Sequence, residues 1–153
     1  MPDAPGILWV NDYGFHSLTG LGRQTGELRL FVPYTSSELT RAALSKAFGL
    51  IRNLDAHVTL FAIQVVPIAL PLNRPDVNPE FYKQLLSAIA GEVQERIDVR
   101  LVLARDLKSG LREVLLPNSL AIVATRKRWW ATQEMKLARI LARGGHTVAV
   151  LEV

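Results

Sequence analysis

The sequence predicts an open α/β fold, in which a parallel sheet of five strands carries helices on both faces. Three observations lead to this prediction. Short apolar segments recur five times after residue 27, and a segment with helical spacing follows each of the first four. Alternating strands and helices form parallel sheets, because each helix carries the chain back across the sheet. Five strands are too few to close an eight-stranded barrel, so the sheet is expected to stay open.

The predicted strands are short, apolar and bounded by turn residues. The first, "LRLFVPY", combines β-branched and aromatic residues, and the second, "HVTLFAIQVV", is nearly all apolar. Such continuous apolar runs are typical of strands that are covered on both faces. The five strands are predicted at 28–34, 57–66, 98–104, 119–125 and 146–153.

Each predicted helix is marked by residues that favour a helix start or a helix end. The four helices are predicted at 36–54, 78–96, 106–116 and 130–144. Their expected starting caps, where the sequence offers them, are Ser36 or Ser37, then Asn78, then Asp106. Pro79 directly follows Asn78 and suits the first helical position, whereas Pro117 and the pair Gly144-Gly145 are expected to stop the last two helices.

The composition excludes several classes of protein. A chain of 153 residues with 49% hydrophobic residues is expected to fold as one domain with a substantial core. Because there are no cysteines, disulfides, thiolate metal sites and a cysteine nucleophile are excluded. The start "MPDAPGILWVND" does not resemble a secretory signal, and no apolar run reaches the ~18 residues of a membrane span. We therefore expect a cytoplasmic protein without a membrane span, and its net charge of +4 permits an anionic partner.

Residues 1–27 lack the regular pattern of the rest of the chain. Glycines punctuate them, and only "ILWV" has the character of a short strand. We interpret 1–27 as an N-terminal extension or arm and 28–153 as the α/β domain.

Several segments of the α/β domain resemble the universal stress protein family. They are "LRLFVPYTSSELTRAALSKAFGLIRNLDAHVTLFAIQVVP", "VRLVLARDLKSGLREVL", "LAIVATRKR" and "HTVAVLEV". The resemblance implies an adenine nucleotide alpha hydrolase-like sheet with its strands in the order three-two-one-four-five. It also implies a ligand cleft between the first and fourth strands, and homodimerisation through the last strand.

The chain departs from the nucleotide-binding members of that family at each of their diagnostic positions. Pro33 matches the proline that ends their first strand, but Thr35 stands where they carry an aspartate. Ala124 and Lys127 stand at their first two loop glycines, and Leu137-Ala138 at their later glycine and hydroxyl pair. Close approach of backbone amides to a triphosphate requires residues without a Cβ. We therefore expect no nucleotide cofactor.

The candidate ligand-binding residues lie on the two lips of this cleft. They are Pro33, Tyr34, Thr35, Ser36, Ala124, Thr125, Arg126, Lys127 and Arg128. The three cations could hold an anion beside the start of the fourth helix, or they could form a solvated basic loop. The segment "RKRWW", Arg126-Trp130, could bind nucleic acid or an anionic surface, or one of its tryptophans could fill the cleft. The hydroxyls of the other lip could bind a small ligand, although capping of the first helix is the favoured role for Ser36.

The sequence gives no sign of catalysis or of a metal site. His16, His57 and His146 are far apart and lack metal-ligand spacing. Neither a Gly-x-Ser-x-Gly motif nor a phosphate-loop Gly-Lys-Ser is present. We therefore expect no enzyme.

The function predicted from these observations is that of a non-catalytic regulatory or stress-response module acting as a homodimer. The alternatives are a small-ligand or nucleotide binder that uses the rebuilt cleft, and a weak binder of nucleic acid or anionic surfaces. The predicted dimer pairs the exposed apolar edge of the last strand with its own copy. Its interface residues are Thr147, Val148, Ala149, Val150 and Leu151. The rival possibility is that "ILWV" covers this edge.

Overall fold

The computed structural model describes residues 7–10, 23–24, 27–51, 56–93, 96–116, 119–126 and 132–153. The strands are β1 (Ile7–Val10), β2 (Arg23–Gln24), β3 (Glu27–Pro33), β4 (Ala56–Val65), β5 (Ile97–Ala104), β6 (Leu120–Thr125) and β7 (Thr147–Glu152). The helices are α1 (Ser37–Ile51), α2 (Pro79–Gly91), α3 (Leu107–Val114) and α4 (Gln133–Arg143). The five predicted strands therefore correspond to β3 to β7, and the four predicted helices to α1 to α4.

The sheet has the strand order that the family resemblance implies. Its path runs β1-β7-β6-β3-β4-β5, with β2 paired antiparallel to β3. The five strands β3 to β7 are all parallel, in the order three-two-one-four-five of the predicted strands. Because β3 lies between β4 and β6, the direction of winding reverses between β3 and β6. In open sheets of this kind, ligands bind at the carboxyl ends of the strands beside such a switch point.

The edge of the last strand is covered by the N-terminal segment. Strand β1 pairs parallel with β7, and the register runs from Ile7 opposite Val148 to Val10 opposite Leu151. This pairing corrects the expectation that the edge of β7 is open. Four of the five residues named for the dimer interface, 148–151, pair with β1 within the same chain. The homodimer itself stays a prediction, but it cannot use this edge unless β1 leaves it.

The helices cover both faces of the sheet and create two apolar layers. Helices α1 and α2 pack on one face, where Leu30 and Leu60 are fully buried. Helices α3 and α4 pack on the other face, against Phe31 and Phe61, whose ring centroids are 6.5 Å apart. Successive residues of a strand point to opposite faces, so strands covered on both sides must be apolar at nearly every position. This requirement explains the continuous apolar runs in the sequence.

Polar side chains cap the helices, as the sequence predicts for the first three. At the start of α2, Asn78 Oδ1 accepts a hydrogen bond from Glu80 N at 3.0 Å. At the start of α3, Asp106 Oδ1 accepts from Ser109 N at 2.8 Å. Such caps satisfy amides that have no partner inside the helix. None of the helices in the described ranges is long and apolar enough to cross a bilayer.

Candidate functional site

The predicted binding residues meet at the carboxyl ends of β3 and β6. The loop 33–36 leaves β3 toward α1, and 124–126 ends β6 beside it. The structure therefore brings one lip of the predicted cleft next to the other. The predicted binding residues Lys127 and Arg128, and the two tryptophans that follow them, lie outside the described residues.

The β3 lip continues the sheet and then starts α1. Pro33 is buried, and the Tyr34 amide donates to the Phe61 carbonyl at 2.8 Å, which extends the pairing of β3 with β4. The Tyr34 hydroxyl is half-buried and lies 3.4 Å from Ser37 Oγ. These contacts fix the direction in which the chain leaves the strand.

The polar groups that follow are engaged in forming the first turn of α1. Ser36 Oγ accepts a hydrogen bond from the Leu39 amide at 3.2 Å, so Ser36 has the capping role that the sequence favours. The Thr35 amide donates to Thr40 Oγ1 at 3.1 Å, and Thr40 is almost fully buried. Sequence reasoning missed Thr40, because a threonine inside a helix carries no local signal of this contact. A ligand at this lip would therefore compete with the helix cap.

The β6 lip is tied to the start of α4 in a similar way. Ala124 is buried, and Thr125 exposes only 2% of its surface. Thr125 Oγ1 lies 3.2 Å from Thr132 Oγ1, which accepts from the Met135 amide at 3.2 Å. Thr132 is the N-cap of α4. Where a nucleotide-binding loop would present backbone amides, this chain presents a buried hydroxyl that is engaged with a helix cap.

An ion pair joins the two lips. The Arg126 guanidinium donates to the Glu38 carboxylate in the first turn of α1, and both side chains are exposed. The start of a helix attracts negative charge, and here the chain supplies that charge itself. The sequence analysis named Arg126 but missed Glu38, although an acid in the first helical turn was a readable signal. The arrangement neutralises the one described cation of the predicted anion site.

The displaced pKa values in the described ranges belong to groups elsewhere. The hydrogen bond from Arg41 lowers the pKa of Glu92, and the same bidentate contact, at 2.6 and 2.9 Å, raises the pKa of Arg41. Hydrogen bonds from the backbone and side chain of Ser109 lower the pKa of Asp106. These shifts accompany an exposed ion pair and a helix cap, so they indicate structural roles rather than acid-base chemistry.

Within the described part of the chain, no group of three His, Asp or Glu side chains is placed to hold a metal ion. His57 lies near the start of β4, opposite Arg29 of β3, and His146 directly precedes β7. Both positions belong to the amino end of the sheet, away from the switch point, as the sequence indicates.

A cleft of about 370 Å³ lies beside the carboxyl end of β4 rather than between β3 and β6. Tyr34, Asp76 and Tyr82 contribute to its walls. Gln64 also lines it, and its Nε2 donates to the Val77 carbonyl at 2.7 Å. Gln64 Oε1 is buried and has no hydrogen-bond partner among the described residues. Because Gln64 lies inside an apolar strand pattern, sequence reasoning gave it no role.

Comparison with known proteins adds no family assignment. No protein-family model matches this sequence, and no curated protein matches it. Fold and site together define an open α/β domain in which the described polar side chains at the switch point contact one another or cap helices. Function is therefore inferred from the contacts of this chain.

Proposed function

We propose that this chain is a non-catalytic regulatory module of the universal stress protein type, which acts without binding ATP tightly. The strand order supports the choice of this class, since it is the order that the resemblance implies. The observation that carries the proposal is the ion pair between Arg126 and Glu38 across the switch point.

The contacts at the switch point oppose binding of a triphosphate. A carboxylate in the first turn of α1 repels an anion at the place where the helix would otherwise attract one. The hydroxyls of Ser36 and Thr132 are engaged as helix caps, and Thr125 contacts Thr132. Binding would also immobilise side chains such as Arg126, at about 0.5–1.5 kcal/mol each. These contacts suit a protein in which the switch-point residues hold the ends of β3 and β6 together rather than bind a nucleotide.

Calorimetric titration of the full chain with Mg-ATP tests the proposal. We expect no dissociation constant tighter than high micromolar, and no hydrolysis of ATP above the rate in buffer. A low-micromolar constant, or nucleotide that copurifies with the chain, would contradict it.

The homodimer is part of the proposal and rests on the family resemblance. Because β1 occupies the edge of β7, a dimer requires either another surface or release of β1. Equilibrium sedimentation of the intact chain at tens of micromolar checks it. A monomer at that concentration would remove the dimer from the proposal.

A small-ligand binder is the second candidate function, and the buried oxygen of Gln64 is the observation that favours it. A buried acceptor without a partner is costly, by about 1–3 kcal/mol, so a ligand that supplies a donor would relieve it. Two tyrosines and Asp76 add ring faces and a negative charge to the same cleft. The favoured ligand is therefore a planar molecule that donates hydrogen bonds. Thermal-shift measurements with nucleobases and amidines, on the parent and on Gln64→Leu, test this: stabilisation of both chains alike would exclude the site.

A further inference from the structure

A second cleft lies between helices α3 and α4, on the face of the sheet that those two helices cover. Helix α3 packs over β4 and β5, whereas α4 packs over β6 and β7. The space between the helices is an open cleft of about 270 Å³. It is lined by Lys108, Leu111, Arg112, Ile140, Leu141, Arg143, Gly144 and His146.

The inner part of this cleft is apolar. Leu111 and Leu141 are buried and belong to the core layer of α3 and α4, and Ile140 packs against that layer while it stays partly accessible. Leu141 is fully buried and Leu111 exposes 5% of its surface, so Ile140 is the main accessible member of this group. Its accessible apolar surface gains free energy when a hydrocarbon group displaces water from it. The volume corresponds to about nine water molecules at about 30 Å³ each, which is room for about ten non-hydrogen atoms.

The rim of the cleft is positively charged. Lys108 and Arg112 approach it from α3, and Arg143 from the last turn of α4. All three side chains are exposed, and no acidic side chain is among the described residues that line the cleft. Long basic side chains can lay their methylene stems along apolar surface and keep the charge at the water boundary. A negative charge at this rim is therefore attracted from both helices.

His146 adds a polar group for which the described residues provide no partner. Its Nδ1 is buried and has no hydrogen-bond partner among the described residues, and His146 is one of the residues that line the cleft at the end of α4. Buried polar atoms without a partner are uncommon in native structures and call for an explanation. A bound group with hydrogen-bonding capacity, placed beside the cationic rim, would provide one.

We propose that the cleft between α3 and α4 binds a small organic acid, with its carboxylate at the cationic rim and its apolar body on Ile140 and the narrow accessible edge of Leu111. The apolar floor distinguishes this ligand from inorganic phosphate or a polyanion, because neither of those would use it. The cationic rim distinguishes it from a neutral hydrocarbon. The site is separate from the switch point, so it does not depend on the function proposed there.

An NMR titration of the full chain with sodium octanoate tests the proposal. The imidazole signals of His146 and the methyl signals of Ile140 report on the two ends of the cleft. We expect saturable shifts of both, with an affinity at least about fivefold higher than for acetate, which lacks the apolar body, or octanol, which lacks the charge. The absence of saturable shifts at these two residues would overturn the proposal.

Matched variants show whether octanoate binds at the rim of this cleft. Arg112→Gln and Arg143→Gln should each weaken octanoate binding at least about threefold, because each removes one rim charge. Lys136→Gln removes the same charge from an exposed position of α4 that does not line the cleft, so it should leave the affinity unchanged. Equal weakening in all three variants would show that only the net charge matters, and would exclude a built site.

Discussion

The guanidinium of Arg126, directly after β6, is hydrogen-bonded to the carboxylate of Glu38 in the first turn of α1, although the two residues are 88 positions apart in the sequence. This contact joins the two sides of the switch point across its exposed surface. The cation lies at the end of β6, and the acid lies at the start of α1, the helix that follows the neighbouring strand β3. The pair is internally neutral, so these two described side chains together add little net attraction for an anion.

Removal of the acid should restore anion binding. In Glu38→Gln, Arg126 loses its partner and the start of α1 loses a repelling charge, so pyrophosphate should bind about three- to tenfold more tightly at low salt. Calorimetry at low and physiological ionic strength measures this, and the gain should shrink with added salt.

The matched control is Glu80→Gln. Glu80 also lies in a first helical turn, that of α2, and pairs with Lys83 at 3.3 Å. Glu80→Gln changes the net charge by the same amount as Glu38→Gln, but Glu80 lies on α2, away from the switch point. If Glu80→Gln raised pyrophosphate affinity as much as Glu38→Gln, the gain would reflect overall charge and the switch-point interpretation would be wrong.

The element order could be read from the sequence because it depends on local periodicity. Apolar runs and cap residues such as Asn78 and Asp106 act within a few positions, and the strand order then followed from the family resemblance. Helix boundaries were less accurate where local signals conflict. Helix α2 ends at Gly91 rather than near Arg96, in keeping with the low helix propensity of glycine, and α4 begins after Thr132.

The contacts that decide the site could not be read in the same way. The Arg126–Glu38 pair and the pairing of β1 with β7 join segments that are distant in the sequence, so their existence depends on the finished fold. The segment "ILWV" was recognisable as a strand, but its partner was not. The buried Oε1 of Gln64 was equally hidden, because a polar residue within a strand pattern does not reveal which groups surround it.

Removal of β1 should expose the edge of β7 and promote association. A variant that lacks residues 1–10 leaves the backbone groups of 148–151 without their partners on that side, and unpaired apolar edges are templates for other strands. We expect the weight-average molar mass of this variant, measured by equilibrium sedimentation at tens of micromolar, to exceed that of the intact chain. A variant that lacks only residues 1–6 keeps β1 and should behave like the parent. If both truncated chains sedimented like the parent, β1 would have no role in protecting the edge.

Two glycine substitutions should have opposite effects on stability. Gly110 lies in α3 against β4, and a Cβ there would overlap Ile63 Cγ2 and lie 3.2 Å from Ala104 Cβ. Gly110→Ala should therefore lower the free energy of unfolding by about 1–3 kcal/mol, despite the better helix propensity of alanine. Gly49, in α1, has no neighbour within 4 Å of such a Cβ, so Gly49→Ala should raise it by about 0.5–1 kcal/mol.

Urea unfolding of the two variants and the parent measures this difference. Ile63→Ala removes the side-chain atoms that the new methyl group would meet. It should therefore lower the free energy of unfolding by less in the Gly110→Ala variant than in the parent. Additive effects of the two substitutions would show that close packing of α3 on β4 is not what requires glycine.

Burial of His146 should make stability depend on pH below neutrality. Burial lowers the pKa of His146 from its ordinary value of 6.5. The cations Lys108 and Arg112 from α3 and Arg143 from α4 line the same cleft. The unfolded chain therefore binds this proton more readily than the folded chain does. The free energy of unfolding should fall as the pH drops below about 6.5, and this contribution should be fully present above that pH.

Unfolding of the parent and of His146→Gln in urea at pH values from 8 to 5 isolates this contribution. The carboxylates whose pKa is lowered, Glu92 and Asp106, also lose stabilising contacts as the pH falls, but they are present in both chains and cancel in the difference. As the pH falls below 6.5, the free energy of unfolding should decrease more steeply in the parent than in His146→Gln. Parallel pH profiles for the parent and His146→Gln would show that the imidazole takes up its proton equally well in the folded and unfolded chains. In that case the burial of His146 would have no energetic consequence.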